Sequence, residues 1–182
     1  MPVLYYAITS TPDAFAAVCV DSEGNLCYAN MGTSASDVKT IMARDLSVVP
    51  QYQLTSHLPP DNPAIAETIS QFEHVLANPA SSATVKVKYI LGTPFQRQVW
   101  DELRQIEAGT TTTYAALAKK LNTHPRALGS AVGANRIVIV VPCHRVLGSQ
   151  KHLTGFRYGV GNKEYLLRKE LGSSYDTIVT AH

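Results

Sequence analysis

Tyr114-Ala115-Ala116-Leu117-Ala118-Lys119-Lys120-Leu121-Asn122-Thr123-His124-Pro125-Arg126-Ala127-Leu128-Gly129-Ser130-Ala131-Val132-Gly133-Ala134 decides the architecture of the second half of this 182-residue chain. It reads as a helix to Leu121, a turn at Asn122-Thr123-His124, and a second helix opened by Pro125 at a first helical position. Upstream, Pro94 begins a helix with Phe95, Val99, Trp100, Leu103 and Ile106 on one face and Arg97, Gln98, Asp101 and Arg104 off it. Downstream come the apolar run Ile137–Val141, a loop around Gly148–Lys151, and a helix from about Asn162 to Leu171. Two helices about a tight turn, a β-like excursion and a closing helix outline a winged helix-turn-helix, with an ordinary helical bundle as the alternative. Residues 173–182 read as a flexible tail.

Gly92-Thr93-Pro94 marks a boundary, giving an expected N-terminal α+β domain over 1–90 and a second domain over 91–172. In the first, Val3–Ile8, Phe15–Val20 and Leu26–Ala29 read as strands, with Asp21–Asn25 as the hairpin turn. Ser36-Asp37 is expected to cap a short helix through Met42, and Gln53–Asn62 reads as a loop. Pro63 opens a helix whose face is Ile65, Ile69, Phe72, Val75 and Leu76, ended by Pro79. Val85, Val87 and Tyr89 alternate with Lys86 and Lys88, which predicts a half-exposed strand.

With 45% hydrophobic and 16% charged residues, the composition is globular and excludes a disordered or low-complexity chain. No apolar run approaches the ~20 residues of a membrane span, and the N-terminus lacks a secretory pattern, so no membrane association is expected. Three cysteines without a C-x-x-C argue against a disulfide framework or zinc module and for a reducing intracellular compartment. The net charge of +2 is segregated. Residues 1–90 hold four Lys/Arg against eight acids, a net of −4, whereas 91–182 hold twelve against six, a net of +6. Thr110 to Lys163 contains eight Lys/Arg and no acid. Such segregation fits a polyanionic partner or a solvated basic face.

The helix from Pro125 carries almost none of the long polar side chains that read base edges in a major groove. A helix with ordinary side chains is ~10–12 Å wide against ~6 Å for the B-DNA minor groove. Ala127, Ser130 and Ala131 make this helix slender enough to enter a modestly widened minor groove, where binding is nearly sequence-independent. Close helix packing through the same small residues is the competing reading. Arg126, at the helix start, could reach into a base stack.

Val141-Pro142-Cys143-His144-Arg145-Val146 presents a thiol beside an imidazole and a guanidinium. A free thiol, with a pKa of ~8.5, is largely protonated at neutral pH, and a neighbouring histidine turns it into a nucleophile. Triad logic then asks for a carboxylate, and only Glu164 and Glu170 lie between Thr110 and Asp176. Glu170, at the end of the last helix, can fold back over the site. On that logic alone, Glu170→Gln leaves the fold intact and slows the reaction. Cys19 and Cys27, on strand-like segments without basic neighbours, read as buried hydrophobes.

These residues resemble the O6-alkylguanine-DNA alkyltransferase family. The likeness runs over 92–172: Gly92-Thr93-Pro94-Phe95-Gln96-Arg97-Gln98-Val99-Trp100, Thr113–Ala118, Arg126–Asn135, the Val-Pro-Cys-His-Arg-Val segment, Thr154-Gly155-Phe156-Arg157 and Lys163–Glu170. The resemblance implies a ribonuclease-H-like α+β N-terminal domain before the winged helix. It implies a single-turnover repair protein that flips O6-alkylguanine out of duplex DNA and takes the alkyl group irreversibly. Cys143 would be the acceptor, His144 its base through a water, Glu170 the group that orients His144, and Asn135 the brace of the turn. Tyr114 would push the target phosphate and face the flipped base, and Arg126 would fill the gap in the stack. Val146, Phe156 and Arg157 would line the guanine pocket. No cofactor and no metal are expected, nor is an oligomer. The expected location is with the DNA, in the nucleus of a eukaryote or the cytoplasm of a prokaryote.

Three departures stand out. Phe156 replaces the usual Tyr, Arg136 follows Asn135 where Pro is common and is expected to loosen that turn, and the span from Tyr114 to Arg126 is about two residues short. Two other function classes compete: a damage sensor without chemistry, which Cys143 opposes, and a regulator switched by alkylation, which would need a further activation domain.

Overall fold

The computed structural model describes residues 1–180, with the backbone alone at 82 and 83, and is a mixed α+β protein of two compact units. One comprises Met1–Ala77, Ser81–Leu91 and Arg136–Val138; the other comprises Asn78–Ala80, Gly92–Asn135 and Ile139–His182.

The first unit is built on a four-stranded sheet of order β3-β2-β1-β4, with β1 Val3–Thr11, β2 Ala14–Val20, β3 Leu26–Ala29 and β4 Gln53–Thr55. β1, rich in β-branched and aromatic residues, pairs antiparallel with β2, which is buried along nearly its whole length. The turn into β3 is closed by the Asp21 carboxylate, which accepts from the backbone N–H groups of Glu23 and Asn25 at 3.0 and 2.9 Å. β4 lies in the stretch expected as a loop; it is three residues long and joins β1 in parallel, too short to show an alternating pattern. Two helices, α1 (Ala35–Asp45) and α2 (Pro63–Ala77), pack on the sheet. Ser34 caps α1 by accepting from Asp37 N, two residues before the expected start. The expected strand at 85–89 is reduced to one bridge between Val87 and Leu26.

The apolar run Ile137–Val141 is not one strand. Ile137 bridges Ala29, with Ala29 N donating to Arg136 O at 2.9 Å and Val138 N to Ala29 O at 3.1 Å. The chain then turns at Ile139, whose φ of 74° is a costly conformation for a β-branched residue. The Arg136 guanidinium lies 3.9 Å from Asp45, a carboxylate that also accepts the Tyr28 hydroxyl at 2.7 Å.

In the second unit, α3 (Pro94–Leu103) starts with a reciprocal capping box between Thr93 and Gln96 and buries Val99, Trp100 and Leu103. Gly92, at φ 99°, sits against the Trp100 ring so closely that a Cβ there would collide with it. α4 (Tyr114–Lys120) ends in a Schellman motif: Asn122 takes the left-handed position at φ 53°, Asn122 N donates to Lys119 O and Thr123 N to Ala118 O. The His124 ring then caps α5 (Pro125–Gly133), accepting from Arg126 N at 3.0 Å. The short span between Tyr114 and Arg126 is thus closed by back-to-back caps. β5 (Thr112–Thr113) pairs in parallel with β6 (Val146–Leu147), and α6 (Val160–Leu171) closes over them.

Residues 173–180 are not the expected flexible tail. A short helix, α7 (Tyr175–Ile178), folds back so that Tyr175 and Val179 are buried with Leu147, Leu153, Leu167 and Leu171. Burial of these apolar side chains offsets the ordering entropy of the segment. Residues 181 and 182 lie outside the described residues. Among the described residues, no helix is long and apolar enough to cross a membrane.

Candidate active site

A 3₁₀ turn over Cys143–Arg145, entered through Pro142, carries the thiol, the imidazole and the guanidinium. Successive residues of so tight a turn point in different directions, so the partly exposed Cys143 faces outward while His144 and Arg145 are buried. Asn135, buried just after α5, donates from Nδ2 to Val141 O at 2.9 Å and to Cys143 Sγ at 3.3 Å. One amide therefore fixes both the approach to the turn and the sulfur. Burial raises the pKa of the Cys143 thiol, against the lowering effects of the Asn135 hydrogen bond and the Lys163 charge. The group is a thiol at rest.

Glu170, near the end of α6, reaches this turn with a fully buried carboxylate. His144 Nε2 lies 2.7 Å from Oε1. Arg145 donates from Nε to Oε2 at 2.9 Å, from Nη2 to Oε1 at 2.8 Å, and from Nη1 to the Ile106 carbonyl at 2.6 Å. Burial alone would raise the Glu170 pKa, but the hydrogen bonds and charges of His144 and Arg145 outweigh it and hold it at about 2. Burial lowers the pKa of His144, against the opposing pull of Glu170. A neutral imidazole that donates through Nε2 keeps its lone pair on Nδ1, and that atom is buried with no hydrogen-bond partner among the described residues.

Tyr114, the first residue of α4, donates its hydroxyl to Gly155 O at 3.1 Å, and its pKa is pushed up to about 12, by burial first and then by Cys143 once that thiol has ionised. Val146 is fully buried on β6. Phe156 packs edge-on against Tyr158, and the exposed Arg157 lies 5.9 Å from the same ring. The sequence-predicted residues on α5 divide by helical phase: Arg126, Ala127 and Ser130 are exposed, whereas Ala131 is buried beside Leu128 and Val132. Ala131 is therefore corrected from a groove-facing residue to a core residue. Its carbonyl accepts the Trp100 indole N–H at 2.8 Å.

Two residues of the site were given no role by the sequence. Arg145 appeared there only as a neighbouring cation. Lys163 is fully buried, and its ammonium donates to the carbonyls of Val146 at 2.5 Å and Thr154 at 2.6 Å, with Gly155 at 3.4 Å. Burial lowers its pKa to about 8; an ionised Cys143 would pull the other way. Lys163 shares the inward stripe of α6 with Leu166, Leu167 and Leu171, and a lysine on an apolar stripe was the available signal. Cys19 and Cys27 are buried in the sheet of the first unit, and burial raises the pKa of both thiols.

Residues 94–172 match the family model described as 6-O-methylguanine DNA methyltransferase, DNA binding domain. A methylated-DNA–protein-cysteine methyltransferase of Candida albicans is 42% identical over 172 residues, covering 93% of this chain and 98% of that protein. One from Scheffersomyces stipitis is 33% identical and covers 99% and 100% of the two chains. The fold is similar to that of the O6-methylguanine-DNA methyltransferase of Pyrococcus kodakaraensis, with a TM-score of 0.69, 23% identity and coverage of 93% and 99%. It is also similar to Mycobacterium tuberculosis OGT crystallised in complex with DNA, with a TM-score of 0.67, 25% identity and 92% of each chain covered. With near-complete coverage of relatives 42% and 33% identical, this chain belongs to the methylated-DNA–protein-cysteine methyltransferase family.

Proposed function

We propose that this chain repairs O6-alkylated guanine in DNA by taking the alkyl group, once and irreversibly, onto Cys143. The observation that carries the reading is the linked set Asn135, Cys143, His144 and Glu170: a braced thiol beside a neutral histidine oriented by a buried carboxylate, with its second ring nitrogen unpaired. The thiol proton passes through a bridging water to Nδ1 of His144, and Glu170 stabilises the imidazolium that forms. Sulfur attacks the alkyl carbon; the S–C bond forms as the C–O6 bond breaks, and the electron pair leaves with guanine, which recovers a proton. The thioether has no easy leaving route, so one chain accepts one group.

O6 lies inside the base stack, so the lesion must be flipped out to meet the thiol. Duplex DNA is held through its minor groove with little sequence preference, by one copy of the chain, wherever the DNA resides. The exposed face of α5, with Ala127 and Ser130 behind Arg126, supports this reading, Arg126 filling the gap in the stack. Tyr114 stands against the target phosphate and the flipped base, and Val146, Phe156 and Arg157 line the guanine pocket. A winged helix-turn-helix is supported by α4, α5 and the β5–β6 pair, and a ribonuclease-H-like N-terminal unit by the 3-2-1-4 sheet order with two packed helices.

Intact-protein mass spectrometry after incubation with duplex DNA containing O6-methylguanine tests this. One methyl group per chain, mapped to Cys143, is expected. Turnover beyond one equivalent, or a label on Cys19 or Cys27, overturns it.

A further inference from the structure

We propose that Arg145 is a positioning residue for the proton acceptor: by occupying the Glu170 carboxylate with its guanidinium fork, it keeps His144 uncharged in the resting protein. The inference rests on the reading of Cys143 and His144 as nucleophile and base. A buried imidazole facing a buried carboxylate alone would gain by ionising, because opposite charges attract strongly in a medium of low dielectric. The ring would then carry a proton on each nitrogen and could accept none from the thiol.

The geometry removes that outcome. Both Glu170 oxygens already receive N–H groups of Arg145, and Oε1 is shared with His144. The Arg145 side chain is 5% exposed and those of Glu170 and His144 are fully buried, so solvent does little to screen the three. With the guanidinium in place and the imidazole neutral, the trio carries no net charge; protonating His144 would leave an uncompensated buried cation. The other charged or titratable groups turned toward the histidine act in the same sense or are neutral. Lys163 on α6 adds positive charge, and Cys143 on the same turn is a thiol.

Arg145 is suited to this in two ways. A guanidinium does not lose its proton in the working pH range, so the carboxylate stays neutralised throughout it. Its planar fork also spans both carboxylate oxygens while Nη1 is fixed to the Ile106 carbonyl, so Glu170 is held in position as well as neutralised. The histidine is a weaker base than one in a free carboxylate pair, but its lone pair is available at neutral pH.

The test follows the His144 imidazole by NMR in protein carrying ¹⁵N-histidine, from about pH 5 to about pH 9 and without any alkyl donor. His144→Asn assigns the resonance. The wild-type ring is expected to be neutral at pH 7, protonated on Nε2. Arg145→Gln should raise the titration midpoint by about one pH unit or more, and Arg145→Lys, which keeps the charge but not the fork, by a smaller amount. Single-turnover alkylation of Cys143 by a free O6-alkylguanine base adds a second readout. The rate deficit of Arg145→Gln relative to wild type should be about tenfold larger at pH 6 than at pH 8.5, whereas a purely structural role gives the same deficit at every pH. A wild-type imidazole charged at pH 7, or a uniform deficit, overturns the proposal. If Arg145→Gln does not fold, an unchanged midpoint in Arg145→Lys overturns it instead. The imidazole titration needs no alkyl donor, so failure of the transferase reading and failure of this inference are distinguishable.

Discussion

Glu170→Gln separates what the carboxylate does for the fold from what it does for the chemistry. Glutamine keeps the shape but removes the charge, leaving the Arg145 guanidinium, only 5% exposed, without the counter-charge it now holds in a fork. Breaking a buried pair from one side costs about 3–5 kcal/mol. Against a typical margin of about 5–15 kcal/mol the protein still folds at room temperature. At about 2–4 °C per kcal/mol for a chain of this length, the melting temperature should fall by roughly 6–20 °C. Triad logic expects the fold to stay intact, and the buried Arg145 adds a stability cost to that expectation. Replacing both partners, in Glu170→Gln combined with Arg145→Met, removes the stranded charge and should recover at least half of the lost stability. Alkyl transfer should not recover, since His144 still lacks its orienting carboxylate. Thermal and urea unfolding of the two singles and the double, with single-turnover rates at one pH, make the comparison. Additive stability losses, with no coupling between the two positions, would refute the reasoning.

The remaining expectations concern pH, Lys163 and α5. Glu170 is held at about 2 against an ordinary 4.5, and His144 is held below its ordinary 6.5, so both groups contribute stability at neutral pH that is lost on acidification. The urea midpoint should begin to fall below about pH 6.5 and steepen below about pH 4.5; a flat midpoint between pH 7 and pH 4 contradicts this. Lys163→Met leaves the Val146 and Thr154 carbonyls without their donor while relieving a buried ammonium, for a net loss of about 1–3 kcal/mol. By untying the 154–155 backbone it should also slow transfer from a free alkylated base, which single-turnover kinetics would show. Ser130→Leu should weaken binding to every duplex sequence at fixed salt and spare the free-base reaction. Ala131→Leu should cost about 1–3 kcal/mol of stability through overpacking and alter DNA affinity only as far as the fold is lost.

Much of the fold was legible because punctuation and periodicity agreed. Pro94, Pro125 and Pro63 sit at helix starts, and the 65-69-72-76 spacing lies on a real helix. What was missed had no local signal. β4 is too short for a pattern and exists because β1 offers an edge. The tail after Gly172 is ordered by two apolar residues, Tyr175 and Val179, finding a cluster distant in sequence. Ile137–Val141 reads as a β run in composition, yet Ile139 bends it, and tertiary packing overrides propensity there. At the site, Cys143, His144 and Glu170 were legible because a thiol nucleophile calls for those residue types beside it, whereas Asn135 came only through the family resemblance. Lys163 and Arg145 were not, because their partners are mostly backbone carbonyls or a carboxylate already assigned to another role.

Ala131 shows how one helix serves two ends. Helical phase puts Arg126, Ala127 and Ser130 outside and Leu128, Ala131 and Val132 inside. Smallness at Ala131 thus has a different cause from smallness at Ala127 and Ser130: it lets the Trp100 indole approach closely enough to donate to the Ala131 carbonyl. That bond ties α5 to α3 near the end of the helix, four residues before Asn135, whose amide holds the Cys143 sulfur. The inward face of α5 therefore helps place the amide that holds the Cys143 sulfur, while its outward face is exposed. The proposed groove contact and the hold on Cys143 can share the span 126–135 because 3.6 residues per turn divide it into an exposed and a buried face.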